Sequence, residues 1–138
     1  MCNNLRQLDA MEVTGYKVVL EKNGRYYSPA MGIRYHDGEL VKIPKKQSRL
    51  AKYFNKYILT DFSHGFRSDM VGRTSAFASF GSADTFVRIG IRPNEIREGF
   101  NLVIRKVALS DSLMVGDYGE GFMGIARRVY AGRRVRFL

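Results

Sequence analysis

The spacing of hydrophobic and polar positions along this chain changes several times, and each change predicts an element. From Thr14 the run Gly15-Tyr16-Lys17-Val18-Val19-Leu20-Glu21 is rich in β-branched and aromatic residues and predicts a strand, because such side chains pack well on a pleated surface. Asn23-Gly24 follows, a pair that tolerates positive φ and so closes two-residue hairpins, and Arg25-Tyr26-Tyr27-Ser28 supplies the return strand. Extended segments at 33–36 and 39–43, separated by Asp37-Gly38, complete a predicted four-strand meander. Past Pro44 the period lengthens. Leu50, Tyr53, Phe54, Tyr57 and Ile58 fall at i, i+3, i+4, i+7 and i+8, the stripe of a core-facing amphipathic helix, which places the principal helix over 48–59 with Ser48 as N-cap.

The aperiodic polar run 60–72 reads as a surface loop. Residues 74–80 read as a strand, Gly81-Ser82-Ala83-Asp84 as an interruption, and 85–91, with Phe86, Val87, Ile89 and Ile91, as a resumed strand. The segment 102–109 is apolar apart from Arg105 and Lys106 and is expected at the centre of a sheet. A short helical turn is expected at 111–115 and a glycine-rich acidic loop at 116–121. Residues 125–138 predict a closing hairpin turning near Gly132, with Ile125, Val129, Val135 and Phe137 inward and Arg128, Arg134 and Arg136 on the opposite face. Residues 1–13 have a weak pattern and read as a flexible arm of a single domain covering 1–138. These elements give an α+β fold, a mainly antiparallel sheet of about seven to nine strands with one principal amphipathic helix. Connections this short leave no room for repeated parallel crossovers.

Charge changes the picture from fold to partner. Twenty-three Lys and Arg against thirteen Asp and Glu give a formal net charge of +10, and such a surface attracts polyanions and acidic protein faces. The segment 125–138 holds Arg127, Arg128, Arg133, Arg134 and Arg136 with no acid. The guanidinium fork binds phosphate or carboxylate in bidentate fashion, and the interleaved Tyr130 offers a ring for a base to stack on. Lys45, Lys46, Arg49, Lys52 and Lys56 form a second acid-free basic window around the predicted helix. The expected function is therefore a non-enzymatic binding protein whose partner is nucleic acid or the acidic surface of a nucleic-acid-handling complex.

Other chemistries find little support. One cysteine, Cys2, and two separated histidines, His36 and His64, lack the spacing of a metal site. Ser63, His64 and Asp69 are too close in sequence to face one another as a triad. The glycines around Glu120 lack the Lys-Ser/Thr pair of a phosphate loop. No cofactor is expected. The opening residues lack the apolar core of a secretion signal, and no run reaches the roughly 18 apolar residues of a membrane span, so a cytoplasmic location is expected.

The residues Gly15-Tyr16-Lys17-Val18-Val19, Gly24-Arg25-Tyr26-Tyr27-Ser28-Pro29, Ile33-Arg34-Tyr35 and Gly38, with Ala76 to Phe80 and Ala83-Asp84, resemble small uncharacterised phage and viral domains that open with a Tyr-Lys-Val strand and a Tyr-Ser hairpin. The resemblance covers about half the chain and implies an accessory protein, such as an inhibitor of a host defence or nucleic-acid-processing complex, acting in the host cytoplasm. The same segments look more distantly like the split sheet of ADP-ribosyltransferases, which implies the alternative of an enzyme modifying a host target. Lys17 then stands in the first-strand position, Thr74-Ser75-Ala76 would be the hydroxyl strand, and Glu120 is the only late glutamate.

Overall fold

Asn23 and Gly24 turn the chain as their residue types dictate, both at positive φ (52° and 73°), the geometry whose twist matches the flanking strands of a hairpin. They join β2 (Glu12–Lys22) to β3 (Arg25–Tyr27), paired from Lys22↔Arg25 to Leu20↔Tyr27. The computed structural model describes residues 3–29, 32, 34–35, 49–50, 52–53, 61, 72–118 and 127–138. Among them lie six further strands: β1 (Asn3–Gln7), β4 (Thr74–Phe77), β5 (Asn101–Ser110), β6 (Met114–Tyr118), β7 (Arg127–Gly132) and β8 (Arg134–Phe137). All eight form one antiparallel sheet in the order β1-β6-β7-β4-β2-β5-β8, with β3 on β2. Of the further strands expected in the meander, Arg34 bridges to Tyr27, while 36–43 lie outside the described residues. The long β2–β5 ladder runs from Glu12↔Ser110 to Glu21↔Asn101, and β8 pairs with β5 over Val107–Ser110, so the segment expected at the centre lies next to the last strand of the order and is paired on both sides in its second half. The residues expected as a free arm are partly built in, since β1 pairs with β6.

The end of the chain departs from a simple hairpin. Strand β7 pairs with β6 and β4, whereas β8 pairs with β5. Gly132 is therefore a corner, where one bent strand leaves one ladder for another, and the reversal between β6 and β7 falls in 119–126, outside the described residues. The β5–β6 path bends at the same place through Asp111 and Ser112, both at positive φ (67° and 53°), and the Arg133 amide donates to the Asp111 carbonyl at 2.8 Å. A Cβ on Gly132 would lie 2.8 Å from the Ser110 carbonyl oxygen and 2.9 Å from Leu113 Cδ2, so the ladders can meet this closely only over glycine. Because Gly132 and Arg134 sit one residue apart yet belong to ladders separated by β4, β2 and β5, the sheet must curl on itself. The helical turn expected at 111–115 is this corner and the start of β6.

Residues 80–90, read in part as a strand, form the helix α1 (Phe80–Gly90). Ser79 caps it, its hydroxyl accepting from the Ser82 amide at 3.2 Å. The buried positions Ser82, Ala83, Phe86 and Gly90 follow helical spacing, and Asp84 pairs with Arg88 one turn on at 2.9 Å. Thr85, Val87, Ile89 and Ile91 imitate a strand because β-branched residues recur at every second position, but Phe86 can be buried only from the helical face. A short 3-10 turn (Pro93–Glu95) follows. Of the helix expected over 48–59, Arg49, Leu50, Lys52 and Tyr53 are helical. Leu50 is buried, and Tyr53 stacks on Phe86 with ring centroids 4.3 Å apart. Phe54, Tyr57 and Ile58, which would complete the stripe, lie outside the described residues.

The sheet has a core on each face. Val18, Phe77 and Val129 pack with Leu50, Ala83 and Phe86 under α1. On the other face Ala76, Val107, Leu109 and Leu113 gather Val13, Tyr130, Val135 and Phe137. Among the described residues no helix is long and apolar enough to cross a membrane.

Candidate nucleic-acid interface

Cross-strand register decides which cations share a surface, because directly paired residues point to the same face of a sheet. Glu12, Ser110 and Arg134 form one row across β2, β5 and β8, and Thr14, Ala108 and Arg136 the next. Tyr16 and Lys106 are paired one row further on. All these residues alternate with the core residues Val13, Val107, Leu109, Val135 and Phe137, so they point to the face that carries α1, where Ala108 is buried and Tyr16 packs against the first core while the cations stand at the margin. Arg134 and Arg136 are 80% and 65% exposed, and Thr14 and Lys106 are also exposed. Phe80, the first residue of α1, closes this face with its ring edge-on to Tyr16, centroids 5.9 Å apart and planes at 82°.

The five-arginine segment thus does not present one face. Val129 lies in the core under α1, whereas Val135 and Phe137 lie in the core on the other side, so the corner at Gly132 reverses the relation. By strand alternation Arg128 shares the face of Tyr130, opposite in sense to Arg134 and Arg136. Tyr130 itself packs against the second core and is not an open stacking ring. Arg133 is exposed at the corner, while the Arg127 side chain and Ile125 are outside the described residues.

The segment's lack of acids is remedied from neighbouring strands. Arg128 donates to Asp117 at 3.1 Å, Arg134 lies 3.7 Å from Asp111, and Arg136 lies 3.4 Å from Glu12. The hydrogen bond to Asp117, seconded by its charge, raises the Arg128 pKa further, so this guanidinium carries full charge at any working pH. In the second window, Arg49 pairs with Glu95 and donates to the Gly90 carbonyl at 3.2 Å, which ties it to the end of α1. Lys52 is exposed. Lys45, Lys46 and Lys56 lie outside the described residues, so the structure brings no second basic face into view.

A buried polar network was not foreseen from the sequence. Lys17, only 4% exposed, sets its Nζ 2.7 Å from Asp61 Oδ1 and donates to the Ser75 carbonyl at 2.7 Å. Asp61 also accepts from Thr74 Oγ1 (2.7 Å) and from the Tyr35 hydroxyl (2.9 Å). Burial, then the charge and hydrogen bond of Asp61, push the Tyr35 phenol well above its ordinary pKa, with a Ser28 hydrogen bond opposing them. Lys17 stands directly opposite Arg105 in the β2–β5 ladder, a like-charge pair that would destabilise the sheet. Each cation is met by its own acid, since Arg105 donates to Glu21 at 2.7 Å. The only sequence sign of this network was a lysine between Tyr16 and the apolar run Val18-Val19-Leu20, a position that burial makes costly unless an acid meets it.

Lys17 and Thr74-Ser75, which the transferase resemblance singles out, are thus brought together but sealed, Thr74 being 0% exposed. Glu120 is outside the described residues. Among the described residues no group of His, Cys, Asp and Glu could hold a metal ion, while Cys2, His36 and His64 lie outside them. No protein-family model, curated protein or solved structure matches this chain.

Proposed function

We propose that this protein is a non-enzymatic nucleic-acid-binding protein that uses the exposed cations of β5 and β8 at the margin of the sheet face that carries α1. The observation that carries this reading is the register that sets Lys106, Arg134 and Arg136 together on one exposed face beside Tyr16. Glu12 and Asp111 share the surface, but their pairs with the arginines are exposed, and such pairs are worth only about 0–1 kcal/mol. A phosphate can replace either carboxylate at small cost, and the net charge of +10 draws it in. The resemblance to viral accessory domains extends the proposal to a host cell, where occupation of nucleic acid or of its handling complex would be the biological effect.

The test is titration of labelled DNA and RNA at several salt concentrations with wild type and with Arg134→Glu/Arg136→Glu. The double reversal is expected to weaken binding at least tenfold and to reduce the slope of log affinity against log salt by roughly 0.7–0.9 for each phosphate that is no longer neutralised. An unchanged affinity in a folded double variant overturns this face as the site. A complex recovered from host lysate that survives nuclease treatment, with a shallow salt dependence, would favour an acidic protein partner instead.

A further inference from the structure

The cationic face ends in an aromatic pair, Tyr16 packed against the first core and Phe80 standing outside it. Phe80 is 53% exposed, although α1 buries its other aromatic, Phe86, completely. Its contact with Tyr16 is edge-on, and an edge-on pair with one member half in solvent leaves ring surface open for a further flat partner. Tyr16 in turn is the direct cross-strand neighbour of Lys106, with Arg136 on the adjacent strand one row further along the same face. An exposed ring next to a row of cations supplies the two parts from which non-sequence-specific single-strand sites are made, the cations following the backbone and the ring taking a base. The first turn of α1 contains no acid, the Asp84 carboxylate one turn on is paired with Arg88, and the helix N-terminus adds partial positive charge to the same end of the face.

Resting on the nucleic-acid reading above, we infer that the preferred ligand is single-stranded nucleic acid, with a base stacked on Phe80 and the adjoining phosphates on Lys106 and Arg136. In a duplex the base faces are already stacked on their neighbours, and reaching Phe80 would require unstacking at a cost of a few kcal/mol. Single strands should therefore bind more tightly than duplex of the same length, although duplex carries the denser charge.

The experiment uses the whole chain with labelled oligothymidine of about a dozen nucleotides, within the range of single-strand sites, and a duplex of equal length. The protein contains no tryptophan, so Phe80→Trp puts one fluorophore at the proposed stacking position. Phe80→Trp is expected to bind oligothymidine and to be quenched by it. Phe80→Ala is expected to lose about tenfold or more in affinity for the single strand, with an unchanged salt slope and little change for duplex. Wild-type affinity in Phe80→Ala, an unquenched Phe80→Trp, or duplex binding as tight as single strand overturns the inference. Should those results come with weakened binding by Arg134→Glu/Arg136→Glu, the electrostatic site stands and only the stacking platform falls. If wild type binds none of these ligands, both readings fall together.

Discussion

Lys17–Asp61 and Arg136–Glu12 are both cation–carboxylate pairs that start on β2, yet they lie in different media. The first is closed off, at 2.7 Å with both side chains about 5% exposed or less. The second is open, at 3.4 Å with side chains 65% and 50% exposed. Removing charges from water costs several kcal/mol per ion, repaid only while every partner is present. Lys17 is accordingly surrounded by its acid, a carbonyl and the Tyr35 ring, whose centroid lies 5.2 Å from Nζ. At the surface water screens the pair, so neither charge depends on the other and each is available to a ligand. Burial makes an ion pair a fixture of the fold; exposure leaves it exchangeable.

The largest effect expected from breaking this contrast is at Asp61. Asp61→Ala leaves Lys17 buried without its acid and should cost about 3–5 kcal/mol in denaturant unfolding, whereas Lys17→Met/Asp61→Leu should recover most of the loss because neither charge remains. A double variant no more stable than Asp61→Ala would mean that the network holds the fold by geometry and not by charge.

Tyr35→Phe should follow, losing about 1.5–3 kcal/mol with its hydrogen bond to the Asp61 carboxylate. Its pH dependence has a definite sign. The fold raises the Tyr35 pKa, so the neutral phenol is favoured in the native state, and this contribution is complete below the unfolded value of about 10. It is lost as pH rises from that value toward the folded one, because the unfolded chain releases its proton first. Stability measured above pH about 10 should fall more steeply in wild type than in Tyr35→Phe; parallel alkaline limbs would place the phenol in water.

The smallest effect is expected from Glu12→Gln, below about 1 kcal/mol in stability, with affinity for oligothymidine raised because Arg136 then has no acid competing for it. A loss of several kcal/mol would show the outer pair to be structural and would sharpen the distinction into one of position instead of burial.

Much of the sheet was legible because local chemistry decides it. Asn23-Gly24 fixes a hairpin by backbone preference alone, and the apolar run around Val107 and Leu109 can be satisfied only inside a sheet. The helix at Phe80–Gly90 was not legible, since Thr85, Val87, Ile89 and Ile91 satisfy a period of two while Ala83, Phe86, Val87 and Gly90 satisfy a helical one, and the choice depends on what Phe86 packs against. At Val135, Arg136 and Phe137 the alternation of buried and exposed side chains follows from the sequence. Two things about those arginines depend on partners distant in the chain. Which strand β8 joins decides that Arg136 meets Glu12 across 124 positions, and the corner at Gly132 decides that Arg128 turns away from Arg134. The sequence by itself therefore determined strands, the hairpin turn and the excess of positive charge, because each acts within a few residues or over the whole chain. Only the tertiary structure decided which charges are buried, which are paired, and which stand together on one face, because those are properties of residues brought together by the curl of the sheet.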